Sequence, residues 1–178
     1  MTKYCPICDA EREVQLEQQQ ETYPVKGEDT TIMATVCKCT VCGEEIMSIE
    51  FDDDNLRKAY LQYRLRHRLL TPDQIKKIRE QYGVSQITFA RILGVGDKTI
   101  ARYENGSLQD EAINNLIMLA ENPQNFLELL EKNAEKISQE EANRIKQSIT
   151  ETISYPVWTP APKCYVFPSI YQDVCQAC

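Results

Sequence analysis

The sequence predicts an α+β fold in which a small N-terminal β module precedes an all-α domain and an irregular C-terminal tail. Two C-x2-C motifs stand about 30 residues apart near the N-terminus. Apolar residues recur at helical spacing through the middle of the chain, and four prolines crowd the segment after residue 155. The predicted parts are a zinc-ribbon-like module over 1–50, a connector helix over 51–70, a helix-turn-helix domain over 71–135, and a polar helix with a Pro- and aromatic-rich tail over 136–178.

The four cysteines of the two motifs are the candidate metal ligands. Two cysteines separated by two residues place both sulfurs on one cation from a single tight turn, and two such turns complete a tetrahedron. Four sulfur donors leave no open position, whereas a catalytic zinc keeps one open and usually recruits histidine or carboxylate. The only histidine, His67, lies outside this segment. The predicted cofactor is therefore one structural Zn²⁺ per chain, held by Cys5, Cys8, Cys39 and Cys42.

Two other interpretations of these cysteines stay open. Rubredoxin-like iron also takes four thiolates, but Asp9 occupies the position where a glycine normally follows the first motif, and the segment lacks an aromatic shell. Disulfides would need an oxidising compartment. A fifth thiol, Cys37, is either a plain strand residue or an alternate ligand.

Length and composition favour a cytoplasmic protein of one or two domains. The chain has 178 residues, of which 42% are hydrophobic, which is ordinary for a globular protein. Residues 1–30 contain no apolar segment typical of an export signal, and no apolar run approaches the roughly 18 residues of a membrane span. Because cytoplasmic thiols stay reduced, the eight cysteines indicate metal rather than disulfides. We expect no membrane partner.

The charge of the chain is distributed unevenly. The formal net charge is −7, yet residues 56–103 hold eleven Lys and Arg against three acidic residues, a net charge of +8 that leaves −15 for the rest. A basic window is the electrostatic footprint of a phosphate-rich partner, whereas acidic flanks suit a basic one. The middle of the chain is therefore the candidate nucleic-acid-binding region.

The N-terminal third predicts a small sheet followed by a helix. Short strands are expected over 13–50, with a turn at Lys26–Asp29. Because so small a sheet buries little apolar area, we expect the metal to stabilise it. The acidic stretch Glu50–Asn55 offers an Asp or Asn cap for a helix over about 55–69. The arginines of this helix either face phosphate or simply solvate its surface.

Short capped helices form the second strong signal. Thr71 and Gln74 make a capping box at the start of one helix. A second helix over 86–93 and a third over about 97–105 are joined by the glycine-containing turn Gly94–Gly96. Two short helices joined in this way are the helix-turn-helix pattern, whose second helix enters the major groove of DNA.

Further helices are predicted after Gly106. One covers 111–120, and another carries Phe126–Leu130. They complete a five-helix domain or offer a dimer face, and we expect a homodimer because two-fold related domains read a palindrome. Ser138 begins a polar helix that runs to about Glu151.

The tail beyond residue 155 is predicted to be extended or irregular, because prolines at this density prevent helix formation. Three cysteines in it form a candidate second thiol site, with a fourth ligand from Cys37, His67 or a partner: Cys164, Cys175 and Cys178. A redox-sensitive thiol pair and the absence of any role are the alternatives.

The helical region resembles a known family. It is similar to the Cro/C1-type (XRE) helix-turn-helix signature at Ser85-Gln86, Phe89-Ala90, Leu93-Gly94-Val95, Thr99-Ile100 and Tyr103-Glu104-Asn105-Gly106. Together with the two C-x2-C motifs, this signature resembles the MqsA (YgiT-type zinc finger) antitoxin family over roughly residues 1–130. The resemblance implies a bacterial antitoxin or transcriptional regulator whose zinc module binds a toxin and whose helix-turn-helix dimerises on operator DNA.

The resemblance also implies two base contacts. In the family an arginine before the Tyr-Glu-x-Gly segment contacts a base, and Arg102 matches it. An asparagine four residues earlier does the same, but this chain has Lys98 there. We therefore expect this chain to read a different operator.

The residues themselves support a DNA-reading role, because side chains on the first turns of the second helix point into the groove. Arg102 can pair with guanine; a phosphate contact or an intrahelical salt bridge is the alternative. Gln86 either binds a phosphate or is simply solvated. Ile100 and Tyr103 are assigned to the core, and Glu104 to a pair with a nearby arginine. The predicted DNA-binding residues are Gln86, Asp97, Lys98, Thr99 and Arg102.

The predicted function is that of a sequence-specific DNA-binding repressor in the bacterial cytoplasm, the antitoxin of a type II toxin–antitoxin system. Its predicted partners are a double-stranded operator, a second copy of the chain and a toxin on the zinc module. A zinc-containing protein adaptor without an operator and a stand-alone regulator without a toxin are the alternatives. An enzyme is disfavoured because the chain has no G-x-S-x-G, no phosphate loop, no H-E-x-x-H and one histidine.

Overall fold

A computed structural model describes residues 1–154 and has the α+β architecture that the sequence predicts. A four-stranded antiparallel sheet with strand order β1-β2-β3-β4 comes first. Its strands are β1 (Thr2–Cys5), β2 (Ala10–Val25), β3 (Glu28–Cys39) and β4 (Glu45–Ile46). The helices are α1 (Ile49–His67), α2 (Pro72–Glu80), α3 (Gln86–Ile92), α4 (Thr99–Glu104), α5 (Glu111–Leu119), α6 (Pro123–Lys132) and α7 (Gln139–Ser154), with a 3₁₀ turn at Ala134–Lys136. The predicted irregular tail lies outside the described residues.

A long hairpin of β2 and β3 forms the body of the sheet. Val25 pairs with Glu28 across the two-residue turn Lys26-Gly27, in which φ is 49° and 83°. Left-handed residues at both turn positions match the twist of the flanking strands, so the turn lies where the sequence predicts it. The strands, at 16 and 12 residues, are longer than the short strands expected. The polar β2 extends so far because it pairs along the whole of the β-branched β3.

Helix α1 begins at Ile49, whereas the sequence predicts a start near residue 55. Ser48 occupies the N-cap position in an extended conformation, and its N–H donates to Asp52 Oδ2 at 3.2 Å. The acidic residues expected to cap the helix therefore lie in its first turns, where negative charge is favourable to the helix dipole. Asn55 is a buried anchor instead of a cap: its amide accepts the N–H of Thr35 and donates to the Thr35 carbonyl, both at 2.8 Å.

The sheet has two separate clusters of buried residues, one at each end of the hairpin. At the turn end α1 packs on the sheet, and the buried residues are Val25, Ile32, Ala34, Ala59 and Tyr63. At the other end the buried residues are Cys5, Cys37, Cys39 and Ile46. The expectation that the metal carries the sheet therefore needs correcting, because α1 supplies the turn end with an apolar core that a bare hairpin lacks.

Helices α2–α7 enclose the main core of the protein. The capping box of α2 is present as predicted, with Thr71 Oγ1 accepting the Gln74 N–H at 3.3 Å and Gln74 Oε1 accepting the Thr71 N–H at 2.8 Å. Ile100 and Tyr103 are buried, as predicted. Tyr82 stacks on Phe126 with ring centroids 3.8 Å apart inside this core.

Helix α7 is amphipathic, although the sequence predicts a polar helix. Ala142, Ile145 and Ile149 are buried in the main core. Their i, i+3, i+7 spacing makes a narrow apolar stripe that the many polar neighbours conceal. Glu141 accepts the Thr88 hydroxyl at 2.9 Å and ties the start of α7 to α3. The domain boundaries given above stay predictions.

A buried ion pair joins α2, α3 and α4. Arg79 Nε donates to Glu104 Oε1 at 2.6 Å, and Arg79 Nη2 donates to Oε2 at 3.0 Å. Gln86 Nε2 donates to the same Oε2 at 2.7 Å. The side chains of Arg79 and Glu104 are only 11% and 5% exposed, so Glu104 is paired with a nearby arginine as predicted. Burial would raise the pKa of Glu104, but hydrogen bonds from Arg79 and Gln86 outweigh burial and lower it.

Glu104→Gln is expected to lower the free energy of unfolding by about 3 kcal/mol at pH 7, because it leaves the buried Arg79 guanidinium without its counter-charge. Since the folded-state pKa of Glu104 is lowered, its contribution is complete above the ordinary value of 4.5 and is lost as the pH falls through the folded pKa. Urea unfolding at pH 7 and at lower pH measures both effects.

Glu80→Gln is the matched control, because Glu80 is an exposed carboxylate on the same arginine, 3.4 Å away. We expect it to change stability by less than about 1 kcal/mol. Equal losses in the two variants would contradict the assignment.

Candidate metal centre and nucleic-acid interface

The four cysteines of the C-x2-C motifs come together at one point. Their sulfurs all lie within 4.8 Å of one another. The Sγ atoms of Cys5 and Cys42 are 3.5 Å apart, and those of Cys8 and Cys39 are 4.0 Å apart. Tetrahedral Zn–S bonds of about 2.3 Å place sulfurs about 3.8 Å from one another. The donor set therefore fits a Zn²⁺ ion in both chemistry and spacing.

The central strand β2 brings the two motifs to the same end of the sheet. Cys5 ends β1 and pairs with Ala10, while Cys39 ends β3 and pairs with Val14. Strand β2 pairs with β1 on one side and with β3 on the other. The first cysteines of the two motifs are therefore paired with residues of β2 that are only four positions apart, Ala10 and Val14. The sheet register thus positions ligands that are far apart in sequence.

Each motif closes with a residue in the left-handed conformation. Asp9 follows the first motif with φ 50°, and Gly43 follows the second with φ 74°. The hydroxyl of Tyr4 donates to Asp9 Oδ1 and holds the aspartate side chain. Asp9 therefore makes the turn that a glycine would make, and the missing glycine does not prevent the knuckle from forming.

Backbone N–H groups favour the thiolate form of Cys39. The N–H groups of Cys42 and Val41 lower the pKa of the Cys39 thiol to about 6. The N–H of Glu44 acts in the same direction on Cys42, but burial and the neighbouring thiols outweigh it and raise the pKa of Cys42 to about 12. At the first motif the Cys8 N–H lies 3.5 Å from Cys5 Sγ. A thiolate is the form that binds metal, so the backbone of the second turn favours the metal-binding form of Cys39.

The remaining thiols fall outside this centre. Within the described residues the five cysteines are free, so the structure contains none of the disulfides considered above. Cys37 is 1% exposed, pairs with Ile46 in the sheet and is a strand residue beside the four-sulfur group rather than a member of it. The candidate second site at Cys164, Cys175 and Cys178 lies outside the residues that the structure describes.

Helices α3 and α4 carry the residues predicted to contact DNA. Helix α4 begins at Thr99, two residues later than predicted, and Lys98 is its N-cap residue. Lys98 and Arg102 are exposed and Thr99 is half-buried, whereas Ile100 faces the core. Residues spaced by three and four share a helix face, so the structure places Lys98, Thr99 and Arg102 together on the open face of α4.

The other two predicted contact residues have partners inside the protein. Asp97 receives hydrogen bonds from Arg91 Nε at 3.1 Å and Arg91 Nη2 at 2.8 Å. This pairing lowers the pKa of Asp97 and neutralises a carboxylate that would repel phosphate. The amide of Gln86 donates to Glu104, as described above, which leaves one amide hydrogen at the start of α3 for an outside acceptor.

About half of the basic window is used within the protein. Partners are present for Lys58, Arg64, Arg66, Lys76, Arg79 and Arg91. Among residues 1–154, side-chain partners are lacking for Arg57, Arg68, Lys77, Lys98 and Arg102. The charge count alone therefore overstates the surface available to phosphate.

Sequence reasoning missed the residues that join the two halves of the chain. Arg64 donates to the carbonyls of Gly106 and Ser107 at 2.7 and 3.1 Å. The linker residue Leu70 donates its N–H to Asn114 Oδ1 at 2.8 Å, and its carbonyl accepts from Gln109 Nε2 at 2.6 Å. These partners are about 40 residues apart in sequence, and no local pattern signals them.

The fold and the site define a class of protein: an antiparallel β module with a four-cysteine group at one end, followed by a helical bundle. A family profile for the antitoxin component of bacterial toxin-antitoxin systems, MqsA, matches residues 3–145. This match covers most of the chain, which therefore belongs to the MqsA antitoxin family, as the sequence signature indicated. No curated protein matches the chain. Among the described helices, none has the length and apolarity to cross a membrane.

Removing the metal is expected to loosen the cysteine end of the sheet and to leave the helices intact. The cysteine end has four buried residues of its own, three of them cysteines, whereas the turn end packs on α1. In hydrogen exchange with a chelator, protection should fall over 1–14 and 37–47 and persist over 70–130. A single unfolding transition that ignores the chelator would contradict this.

Cysteine substitutions test which sulfurs bind. Cys39→Ser should abolish metal retention on gel filtration, measured by elemental analysis, because three thiolates hold the ion far less tightly. Cys37→Ala is the matched control: it removes a buried thiol of the same strand and should leave one metal per chain. Loss of metal in both variants would make Cys37 a ligand after all.

Proposed function

We propose that this protein is a DNA-binding repressor, the antitoxin of a toxin–antitoxin system, which uses α3 and α4 as a helix-turn-helix. One observation carries the proposal: Lys98 and Arg102 lie on the open face of α4 without a partner inside the described part of the protein, while the opposite face is buried. Unpaired cations on one helix face suit phosphate and guanine acceptors. The family match and the four-cysteine centre fit an antitoxin.

The ion pairs that hold α4 in place favour the same role. A reading helix must hold its side chains in place against the groove. The buried Arg79–Glu104 pair ties its C-terminal turn to α2, and the Arg91–Asp97 pair ties the preceding turn to α3. The proposed contact residues are Lys98, Thr99 and Arg102 for bases and flanking phosphate, with Gln86 at a phosphate. Asp97 is proposed to orient Arg91 at the edge of this surface.

The remaining roles follow from the same arrangement. The four thiolates are proposed to hold one structural Zn²⁺, which supplies folding energy and no reaction. The acidic N-terminal module is proposed to dock the toxin, and two copies of the helical domain to read the two halves of a palindrome. An antitoxin of this kind is a regulator rather than an enzyme and acts in the bacterial cytoplasm.

A protein adaptor without an operator is the second candidate. The exposed apolar side chains of the N-terminal module favour it, since Ile7 and Val41 in the two cysteine turns are each 66% exposed and Met47 is 83% exposed. The two candidates differ in salt dependence. Binding to the DNA upstream of its own gene should weaken steeply with salt if phosphates are contacted, and a pure adaptor should show no such binding.

Arg102→Ala is expected to weaken specific binding by at least about fivefold, because one bidentate guanine contact contributes about 1–3 kcal/mol of discrimination. Fluorescence anisotropy with a duplex selected by the wild-type protein measures it, and thermal unfolding checks the fold. Lys77→Ala is the control, since Lys77 is an exposed, unpaired cation on α2 with the same charge change. Equal losses for both variants would show a general charge effect instead of a contact.

Lys98→Asn is expected to change which bases are preferred rather than to abolish binding. A lysine favours the acceptors of guanine, whereas an asparagine pairs with adenine. Selection from a randomised duplex pool by both proteins should move the preference at one position in each half-site from guanine to adenine. Identical selected sequences would remove Lys98 from the base-reading set.

A further inference from the structure

Arg64 is a buried cation without a counter-charge. It lies on the last turn of α1 and is 4% exposed, and no carboxylate pairs with it in the described part of the chain. Its Nη2 donates to the carbonyl of Gly106 at 2.7 Å and to that of Ser107 at 3.1 Å. Its Nε is buried without a partner. Within the described residues, these two backbone carbonyls are the hydrogen-bond acceptors of the Arg64 guanidinium.

These carbonyls lie directly after α4. The C-terminal end of a helix carries partial negative charge, so the segment after it is a favourable place for a cation. A guanidinium stays charged in a protein even where burial disfavours it, as burial does for Arg64. Removing these acceptors while the guanidinium stays buried would leave that charge unsolvated. The contact is therefore costly to break.

The same segment is held from two other sides. The side chain of Lys26, in the hairpin turn, donates to the Gln109 carbonyl at 3.2 Å and pairs with Asp110 at 2.8 Å. Gln109 also grips the carbonyl of the linker residue Leu70. The stretch from Gly106 to Asp110 consequently contacts the hairpin, α1 and the linker, all of which belong to the N-terminal half.

Helix α4 needs such support because it has only six residues. A helix of that length is not stable by itself, so the contacts at its two ends determine its position and orientation. The turn before it is tied by Arg91 and Asp97, and its own last turn by Arg79 and Glu104. The chain leaving it is held by Arg64.

We infer that Arg64 is a positioning residue for DNA reading: it fixes the C-terminal end of α4 to α1, so the N-terminal half sets the operator affinity of α4. This inference rests on the proposed DNA-binding function. Arg64 acts through α4 and touches no nucleic acid, because the protein itself buries its guanidinium. Its effect therefore differs from that of a phosphate contact.

Hydrogen exchange on the full-length, metal-loaded protein without DNA tests the clamp directly. Arg64→Met keeps an apolar stem and removes the donors. The amides of Gly106 and Ser107, which bond to the carbonyls of Tyr103 and Arg102, should then exchange about tenfold faster. Arg57→Met is the matched control, because Arg57 is an exposed, unpaired cation on the same helix, and it should leave these amides unchanged.

Operator binding tests the consequence. With a duplex selected by the wild-type protein, Arg64→Met should bind about five- to tenfold more weakly, and the slope of log affinity against log salt should stay at the wild-type value. A slope reduced by about one would make Arg64 a phosphate contact and overturn the inference. Unchanged exchange at Gly106 and Ser107, or unchanged affinity, would also overturn it.

Failure of the inference and failure of the proposed function give different results. A wild-type protein that selects no duplex defeats the DNA-binding function, while faster exchange in Arg64→Met still establishes the clamp. If Arg64→Met does not fold, Arg64→Lys replaces it, since lysine keeps the charge but lacks the planar fork. The lysine variant should show faster exchange in the same two amides, and wild-type exchange there would overturn the clamp.

Discussion

The two halves of this protein meet at the buried guanidinium of Arg64. A buried cation needs hydrogen-bond acceptors, and in the part of the chain that the structure describes these acceptors are the carbonyls that follow α4. This requirement fixes α1 against the helical bundle, and α1 in turn covers the turn end of the hairpin. The linker is locked in the same way, since both backbone groups of Leu70 bond to side chains of the bundle. The relative placement of sheet and bundle is thus set by hydrogen bonds between buried polar groups.

The sheet itself is stabilised differently at its two ends. The turn end has an apolar core shared with α1, and Asn55 satisfies the backbone of Thr35 where β3 faces the helix. The other end has mostly thiols, which contribute little until a cation draws them together. A Zn²⁺ ion held there would link the end of β1 to the end of β3 across β2, so it would act as a local cross-link rather than as the centre of the module.

Charge in the basic window has two uses that composition does not separate. Arg79 and Arg91 neutralise carboxylates and orient α4, and Arg64 holds the chain that leaves it. Lys98 and Arg102 remain open to an outside acceptor. A surface that reads DNA needs both kinds, since exposed cations discriminate bases only when the helix beneath them is held still. The net charge of the window therefore includes cations that hold α4 in place as well as cations that are open to an outside partner.

The sequence by itself determined the elements whose signals are local. The C-x2-C spacing, the capping box at Thr71 and the Lys26-Gly27 turn each depend on residues within a few positions of one another, so the two cysteine turns, the start of α2 and the hairpin turn were predictable. The apolar stripe of α7 was not predictable, because polar neighbours surround it in the sequence. The start of α1 was predicted too late, because several residues that can cap a helix follow its true start. Only the tertiary structure decided that Arg64 donates to the carbonyls after α4 and that Asp97 pairs with Arg91. It also decided that Asn55 bonds to the backbone of β3 instead of capping a helix. Those contacts join groups brought together by packing, and a buried polar group takes whichever partner the fold places within reach.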